Sequence, residues 1–235
     1  GLLSGRRGAS ETGFLPTAFG NTIAVAWLDR GTTEVVAEYG VTNHPLAYQG
    51  SAEQIAWAPD GSAIAFLSAE DGPEGPPGDP HVVTRYGYKS WSGMSDNRRW
   101  HINVVTLADK KVRRLTDGPY QDHSIAWSPK GDEIAYISNH EPDPDRVHNY
   151  DIFAVGVTDG RVRRITNTKG SEYAPTWSSD GSTLAYLAGT RPLTTQESSA
   201  EDTHVWTIPA SGGSGRQLAA TLDRRATSVN WMPGE

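Results

Sequence analysis

The residue types best suited to hold a ligand gather in one stretch: Arg85, Tyr88, Lys89, Arg98, Arg99 and His101. Arginine can grip a carboxylate through two parallel hydrogen bonds, and Tyr88 or the neighbouring Trp91 can pack on a side chain, so this cluster could bind a peptide. An elongated hairpin whose arginines pair with nearby acids would use the same residues, and their types leave both readings open. His123, His140, His148 and His204 offer imidazoles, but their spacings are not those of paired metal ligands on one element. Asp143, Asp145 and Asp151 could attract a hard cation such as calcium, yet the stretch lacks the regular alternation of an EF-hand and reads as a solvated connection. Neither a metal nor another cofactor is expected. The chain has no cysteine, which removes disulfides, thiolate metal sites and a cysteine nucleophile.

Composition narrows the partners. A net charge of −7 argues against a phosphate-binding surface, so nucleic acid is not expected. No apolar run is long enough for a membrane span. The lack of cysteine fits cytosol and periplasm alike, with the cytoplasm the favoured expectation. The chain begins Gly-Leu-Leu-Ser without a signal-peptide pattern and ends abruptly at Asn-Trp-Met-Pro-Gly-Glu, so it reads as a piece of a longer protein. With 36% hydrophobic residues a packed core is within reach, and 25 Gly and 15 Pro spread along the chain imply many short strands joined by tight turns.

Those strands are marked by a repeat. Ile55-Ala-Trp-Ala-Pro-Asp-Gly-Ser-Ala-Ile-Ala-Phe-Leu-Ser68 returns as Ile125-Ala-Trp-Ser-Pro-Lys-Gly-Asp-Glu-Ile-Ala-Tyr-Ile-Ser138 and as Pro175-Thr-Trp-Ser-Ser-Asp-Gly-Ser-Thr-Leu-Ala-Tyr-Leu-Ala188. Val229-Asn-Trp-Met-Pro-Gly-Glu235 starts it once more. Trp57, Trp127, Trp177 and Trp231 are therefore 70, 50 and 54 residues apart, which fits four-stranded propeller blades with loop insertions. Equivalent repeat positions make these tryptophans packing residues rather than a stacking site for a ligand. In each unit a short strand ends at Trp, a Pro-Asp-Gly-type turn follows, and an apolar strand such as Ile134–Ile137 comes next. Ala65, Ala135 and Ala185 are expected where adjacent blades come close.

A second hairpin completes each unit. Ile152–Val157, the Asp-Gly turn and Arg161–Thr166 form one; His101–Leu107 with Lys111–Thr116, and His204–Ile208 with Arg216–Leu218, form the others. The expected fold is all-β, a partial propeller of about four blades from a seven-bladed ring. Its segments are an incomplete blade at 1–50, a blade at 51–120 with an insertion at 80–100, blades at 121–170 and 171–222, and the opening strand of another at 223–235. Such a stretch alone would expose two blade faces, so it is expected to associate or to be poorly soluble.

The Trp-Ser-Pro-Asp-Gly unit, the Ile-Ala-Tyr strand and the Arg-Leu-Thr ending resemble the propeller repeats of TolB and of prolyl oligopeptidases. Arg85, Tyr88 and Lys89, followed by Asp96, Arg98, Arg99 and His101, resemble an insertion in acylaminoacyl-peptidase-like propellers. Asn139 through Asp145, with Asp151-Ile-Phe, resembles another loop of that family. The resemblance implies an N-terminal propeller joined to an α/β-hydrolase domain with a Ser–Asp–His triad, and a propeller that restricts which peptides reach it. The expected partners are that hydrolase domain and a peptide substrate. No catalytic residue is expected in this chain, because Ser211-Gly-Gly-Ser-Gly-Arg216 lacks the Gly-x-Ser-x-Gly spacing and falls in a hairpin turn. Two other function classes stay open at this stage. One is a TolB-like scaffold for protein contacts, supported by the repeat alone; the other is a sugar- or metal-dependent propeller enzyme, for which no convergent set of carboxylates and histidines is visible.

Overall fold

The computed structural model describes residues 2–7, 21–40, 55–69, 82, 89–90, 93–94, 97–189 and 203–232, and every regular element among them is a β-strand. Strands β1 (Leu2–Arg7), β2 (Asn21–Trp27) and β3 (Thr32–Tyr39) form a three-stranded sheet in chain order. Next come β4 (Ile55–Trp57) and β5 (Ala63–Ala69), the two-residue pair β6 (Lys89–Ser90) and β7 (Gly93–Met94), then β8 (Trp100–Thr106) and β9 (Val112–Arg114). The order β4-β5-β8-β9 makes a four-stranded sheet, with β6 and β7 paired apart from it. The third sheet is β10 (Asp122–Trp127), β11 (Glu133–Ser138), β12 (Asp151–Gly156) and β13 (Val162–Arg164); the fourth is β14 (Glu172–Trp177), β15 (Thr183–Ala188), β16 (His204–Pro209) and β17 (Arg216–Gln217). All neighbours are antiparallel, and the insertion at 80–100 lies between the second and third strands of its sheet, as its place in the repeat implies.

The turns form as their residues dictate. Gly61, Gly131 and Gly181 each sit at φ +72° and donate to the carbonyl three residues back, Ala58, Ser128 and Ser178. Asp60 and Asp180 accept from the amides of Ser62 and Ser182, and the Ser178 and Ser182 bonds hold the Asp180 carboxyl down at about 2. Where Lys130 replaces that aspartate, Ser128 Oγ donates to Asp132 instead, at 2.5 Å. Space separates two of these glycines: a Cβ on Gly181 would lie 3.2 Å from Pro129 Cγ of the previous blade, whereas one on Gly61 meets nothing. Gly61→Ala is expected to cost about 1–2 kcal/mol for its left-handed backbone alone, and Gly181→Ala measurably more. Urea unfolding of the two variants makes the comparison.

Three cores lie between successive sheets. Ile23 and Val25 of β2 meet Ile64 and Phe66 of β5 in the first. Ala65, Leu67 and Ile102 meet Ile134, Tyr136 and Phe153 in the second. Ala135, Ile137 and Ile152 meet Leu184, Tyr186 and Ile208 in the third. With a neighbouring sheet on each face, β11 is buried at every position but the first, which explains its unbroken apolar run; β15 shows the same burial pattern in the fourth sheet. The small side chains of Ala65 and Ala135 stand in the second and third cores and let the sheets approach; Ala185 is buried as well but is not part of these three cores.

Hydrogen bonds fasten the same interfaces along two lines. Trp127 Nε1 donates to the carbonyl of Ala56 at 3.0 Å, Trp177 to Ala126 and Trp231 to Thr176, both at 3.1 Å. The acceptor is always the residue before the previous blade's tryptophan. Toward the outer edge, Glu34 pairs with Lys110 at 2.5 Å, Arg113 donates to Thr158 O and Arg163 to Ala210 O. Each runs from the last strand of one sheet to the hairpin of the next. Residues 226–232 carry the tryptophan bond but form no ladder, since none of the described strands offers them a partner.

Antiparallel order sorts the connections onto two faces. The Pro-Asp-Gly-type turns and the β8–β9, β12–β13 and β16–β17 hairpins share one, and the insertion, the loop 139–150 and the β9–β10 and β13–β14 connections share the other. Among the described residues no helix is long and apolar enough to cross a membrane.

Candidate functional site on the loop-bearing face

Loops placed by a rigid scaffold are the usual carriers of binding residues. The end of the insertion, residues 97–100, is held at several points on this face. Gln121 grips its backbone from both sides, accepting from Trp100 N at 2.7 Å and donating to Arg98 O at 3.3 Å. Asn97 takes φ +57°, a conformation asparagine tolerates, and its amide donates to Val82 O. Arg99 is thereby half-buried, with Nε donating to Pro119 O at 2.9 Å and Nη1 to Asn97 O at 3.3 Å. Burial lowers the pKa of its guanidinium, and nearby Asp145 opposes that. Arg99 thus reaches from the insertion toward the loop 139–150.

That loop is braced by its own side chains. Asn139 donates to Val147 O at 2.6 Å and accepts from Glu141 N, while Asn149 donates to Glu141 Oε1 at 2.7 Å. Asp145 acts on His148 and Tyr150 as well as on Arg99, so the two loops share one charged neighbourhood. His140 is stacked between Tyr120 and Phe153, with ring centroids 3.6 and 4.1 Å away. Burial is the main cause that lowers its pKa and favours a neutral ring.

The other sequence candidates fall in different places. His101 is 3% exposed inside the second sheet, with Nδ1 3.6 Å from Asp122 Oδ2, so it faces the blade interior rather than the rim. Arg98 is half-buried beside Arg99. Lys89 stands in the short β6–β7 pair, apart from the four-stranded sheet. Arg85, Tyr88 and Trp91 lie outside the described residues. Trp57 packs against the first core, and the other three repeat tryptophans make the bonds given above.

His101 belongs to a feature that repeat spacing alone did not expose. Thr116 Oγ1 accepts from Ile102 N at 2.9 Å and donates to Asp122 at 2.6 Å; one blade on, Thr166 Oγ1 accepts from Ile152 N at 2.8 Å and stands between Asp151 and Glu172. Arg114 and Arg164 donate to the carbonyls of those threonines. The signal was present as the recurring Arg-Arg-Leu/Ile-Thr and an acid five residues before each of Trp127 and Trp177. At the fourth sheet Ala219 replaces the threonine, and only the backbone bond from Leu218 N to Val205 O survives.

The face has the makings of a binding surface. His123 Nδ1 and Ser124 Oγ are 3.0 Å apart, but both residues are buried, and burial pushes the imidazole down to about 4. A nucleophile must be reached by its substrate, and this pair is sealed from solvent. Asp151 is paired with Arg164 inside the third sheet, away from exposed Asp143. Among the described residues no three histidines or carboxylates are placed to hold a metal ion. On the turn face, a groove of about 420 Å³ separates the third and fourth sheets, but Glu133 takes up Arg163 there through two bonds of 2.8 and 2.6 Å.

No family model matches the chain, and no curated protein matches it. Solved structures do. Pyrococcus horikoshii acylaminoacyl peptidase superposes with a TM-score of 0.61 at 15% identity, over 87% of this chain and 29% of that one. TolB from Acinetobacter baumannii gives 0.51 at 17% identity, over 85% and 38%. An oligogalacturonate lyase in complex with manganese gives 0.51 at 14% identity, over 92% and 46%. At these identities the likeness establishes the fold: the sheets are the blades of a β-propeller, and the chain spans less than half the length of each of these proteins.

Proposed function

We propose that this chain is the non-catalytic propeller portion of a prolyl oligopeptidase-like serine peptidase, shaping which peptides reach a hydrolase domain elsewhere in the same protein. The observation that carries the reading is Arg99. Its guanidinium is fixed by the carbonyls of Pro119 and Asn97, and Gln121 holds the backbone on either side of it, at the end of an insertion on the face that gathers the long connections. A cation held in place on such a face can fix a peptide carboxylate or carbonyl at little further entropic cost. The higher TM-score to an acylaminoacyl peptidase, 0.61 against 0.51 for TolB, favours the same reading.

A TolB-like scaffold for protein contacts is the second reading, favoured by the TolB likeness itself. Substrate kinetics separate the two. In the full-length protein, Arg98→Ala and Arg99→Ala are expected to raise KM for peptides about ten- to a hundredfold, the loss of one charge-assisted hydrogen bond of about 1.5–3 kcal/mol. Turnover of a small chromogenic ester, too short to touch the propeller, is expected to stay unchanged. Unaltered peptide kinetics together with an unaltered Tm would overturn the assignment of this face.

A further inference from the structure

Two carboxyl groups share one hydroxyl between the third and fourth blades. Glu172, the first residue of β14, is fully buried, and Asp151, the first of β12, is 2% exposed. Thr166 Oγ1 lies 3.1 Å from Asp151 Oδ1 and 3.4 Å from Glu172 Oε2, and it already accepts the amide of Ile152. A hydroxyl has one proton and two acceptor sites. Its proton satisfies one acid, so the second acid must bring a proton of its own or face a lone pair. Arg164 does not resolve this, because its guanidinium is committed to Asp151 Oδ2. The other Glu172 oxygen is 2.6 Å from Thr168 Oγ1, a neutral group. Two acids and one cation balance when Glu172 keeps its proton: Glu172 then donates to Thr166, and Thr166 donates to Asp151.

The titratable and charged groups facing Glu172 are Asp151 from β12, Arg164 from β13 and Tyr186 from β15. Burial is the largest influence and, helped by Asp151, raises its pKa to about 8 against the lowering effect of Thr168, Thr166 and Arg164. The arrangement is particular to this interface. One blade earlier, Asp122 stands in place of Glu172 and His101 in place of Asp151, so an acid faces an imidazole there and no acid pair arises.

Glu172 also closes the β13–β14 connection. That connection carries Thr166 and Thr168, and it continues into Ser171, whose hydroxyl donates to His148 O at 2.7 Å. Glu172 N donates to Tyr150 O at 2.9 Å. The acid therefore sits where the loop 139–150 and the β13–β14 connection are tied together. We propose that Glu172 is a neutral, protonated acid at neutral pH that fastens these two loops, and that losing its proton in mildly alkaline solution releases them.

The sign follows from linkage. The folded state holds a proton on Glu172 that the unfolded state has lost, so stability falls as pH rises from the ordinary glutamate range through the folded value. Infrared difference spectra of the full-length protein with isotope-labelled glutamate, between about pH 6 and about pH 10, read the proton directly. A protonated-carboxyl band present at the lower pH, lost at the higher and missing from Glu172→Gln is the expected result. Glu172→Gln, which cannot ionise, is expected to keep the neutral-pH Tm and to flatten its alkaline decline. Amide exchange at Thr168, Gly170 and Ser171 is expected to rise with pH beyond the intrinsic rate in the unsubstituted protein only. No protonated-carboxyl band in the unsubstituted protein at the lower pH would overturn the proposal, and so would an alkaline decline left unchanged by Glu172→Gln.

Discussion

Phe153→Ala is expected to destabilise the protein by about 3–5 kcal/mol, the range for emptying a fully packed aromatic site. Phe153 is buried in the core between the second and third blades. Its ring stacks on Tyr136 at 5.8 Å and on His140 at 4.1 Å, and the Arg164 guanidinium lies over it at 5.8 Å. Alanine would leave a cavity walled by β-strands that are hydrogen-bonded on both sides and cannot collapse into it. Phe153→Leu, which fills most of that space, is expected to lose much less. A fall in the urea midpoint at unchanged m-value is the measurement; a loss below about 1 kcal/mol would mean that the blade interface is not packed as described. The same substitution removes the floor of the Tyr120–His140 stack, so faster amide exchange near residue 140 should accompany it.

Arg164→Ala is expected to cost about 3 kcal/mol, the low end of the range for stripping the partner from a buried charge. Asp151 is 2% exposed and would keep only Thr166 Oγ1 and the Thr168 amide. Those two bonds, and the partial exposure of Arg164 itself, hold the loss to that lower end. Removing Asp151 together with Arg164 is expected to recover part of it, since no uncompensated carboxylate then remains, and a double-mutant cycle reads the difference. The exposed pair between Glu34 and Lys110 supplies the contrast. Both side chains are nearly half in water, so Glu34→Ala is expected to change stability by about 0–1 kcal/mol. Equal losses at the two sites would contradict the burial that separates them.

How much of this was legible in the sequence depended on whether a residue acts locally or across the fold. Gly61, Gly131 and Gly181 with their Pro-Asp-Gly-type neighbours announced turns that need only four residues to form, and the turns are there. Val162 to Arg164 announced a hairpin strand for the same local reason. The end positions were harder. Leu2–Arg7 joins the first sheet as a strand although Leu-Leu-Ser-Gly-Arg-Arg carries no alternation, because β2 supplies the pairing that its own sequence does not suggest. Trp231, by contrast, carries the repeat and makes its expected kind of contact without a ladder around it.

The site was less legible than the fold. His101 and Arg99 are two residues apart and both polar, yet one is sealed in the sheet and the other reaches across to Asp145. On a strand covered on both faces, alternation no longer separates inside from outside, so residue type alone could not place His101. Asp151 read as a solvated loop acid because it shares its stretch with Asp143, which is exposed; its burial comes from Thr166 and Arg164, partners that only the folded hairpin brings near. The Glu172 network was hidden for the same reason, since its members come from β12, β13, β14 and the connection between the last two.

On the function proposed above, catalysis lies outside this chain, in a hydrolase domain of the same protein. A fluorophosphonate serine probe applied side by side to the full-length protein and to the 235-residue chain tests it most directly. Labelling of the full-length protein but not of the chain is the expected result. Labelling of neither would contradict the hydrolase reading and favour the scaffold, and labelling of the 235-residue chain itself would place a reactive serine where none is expected.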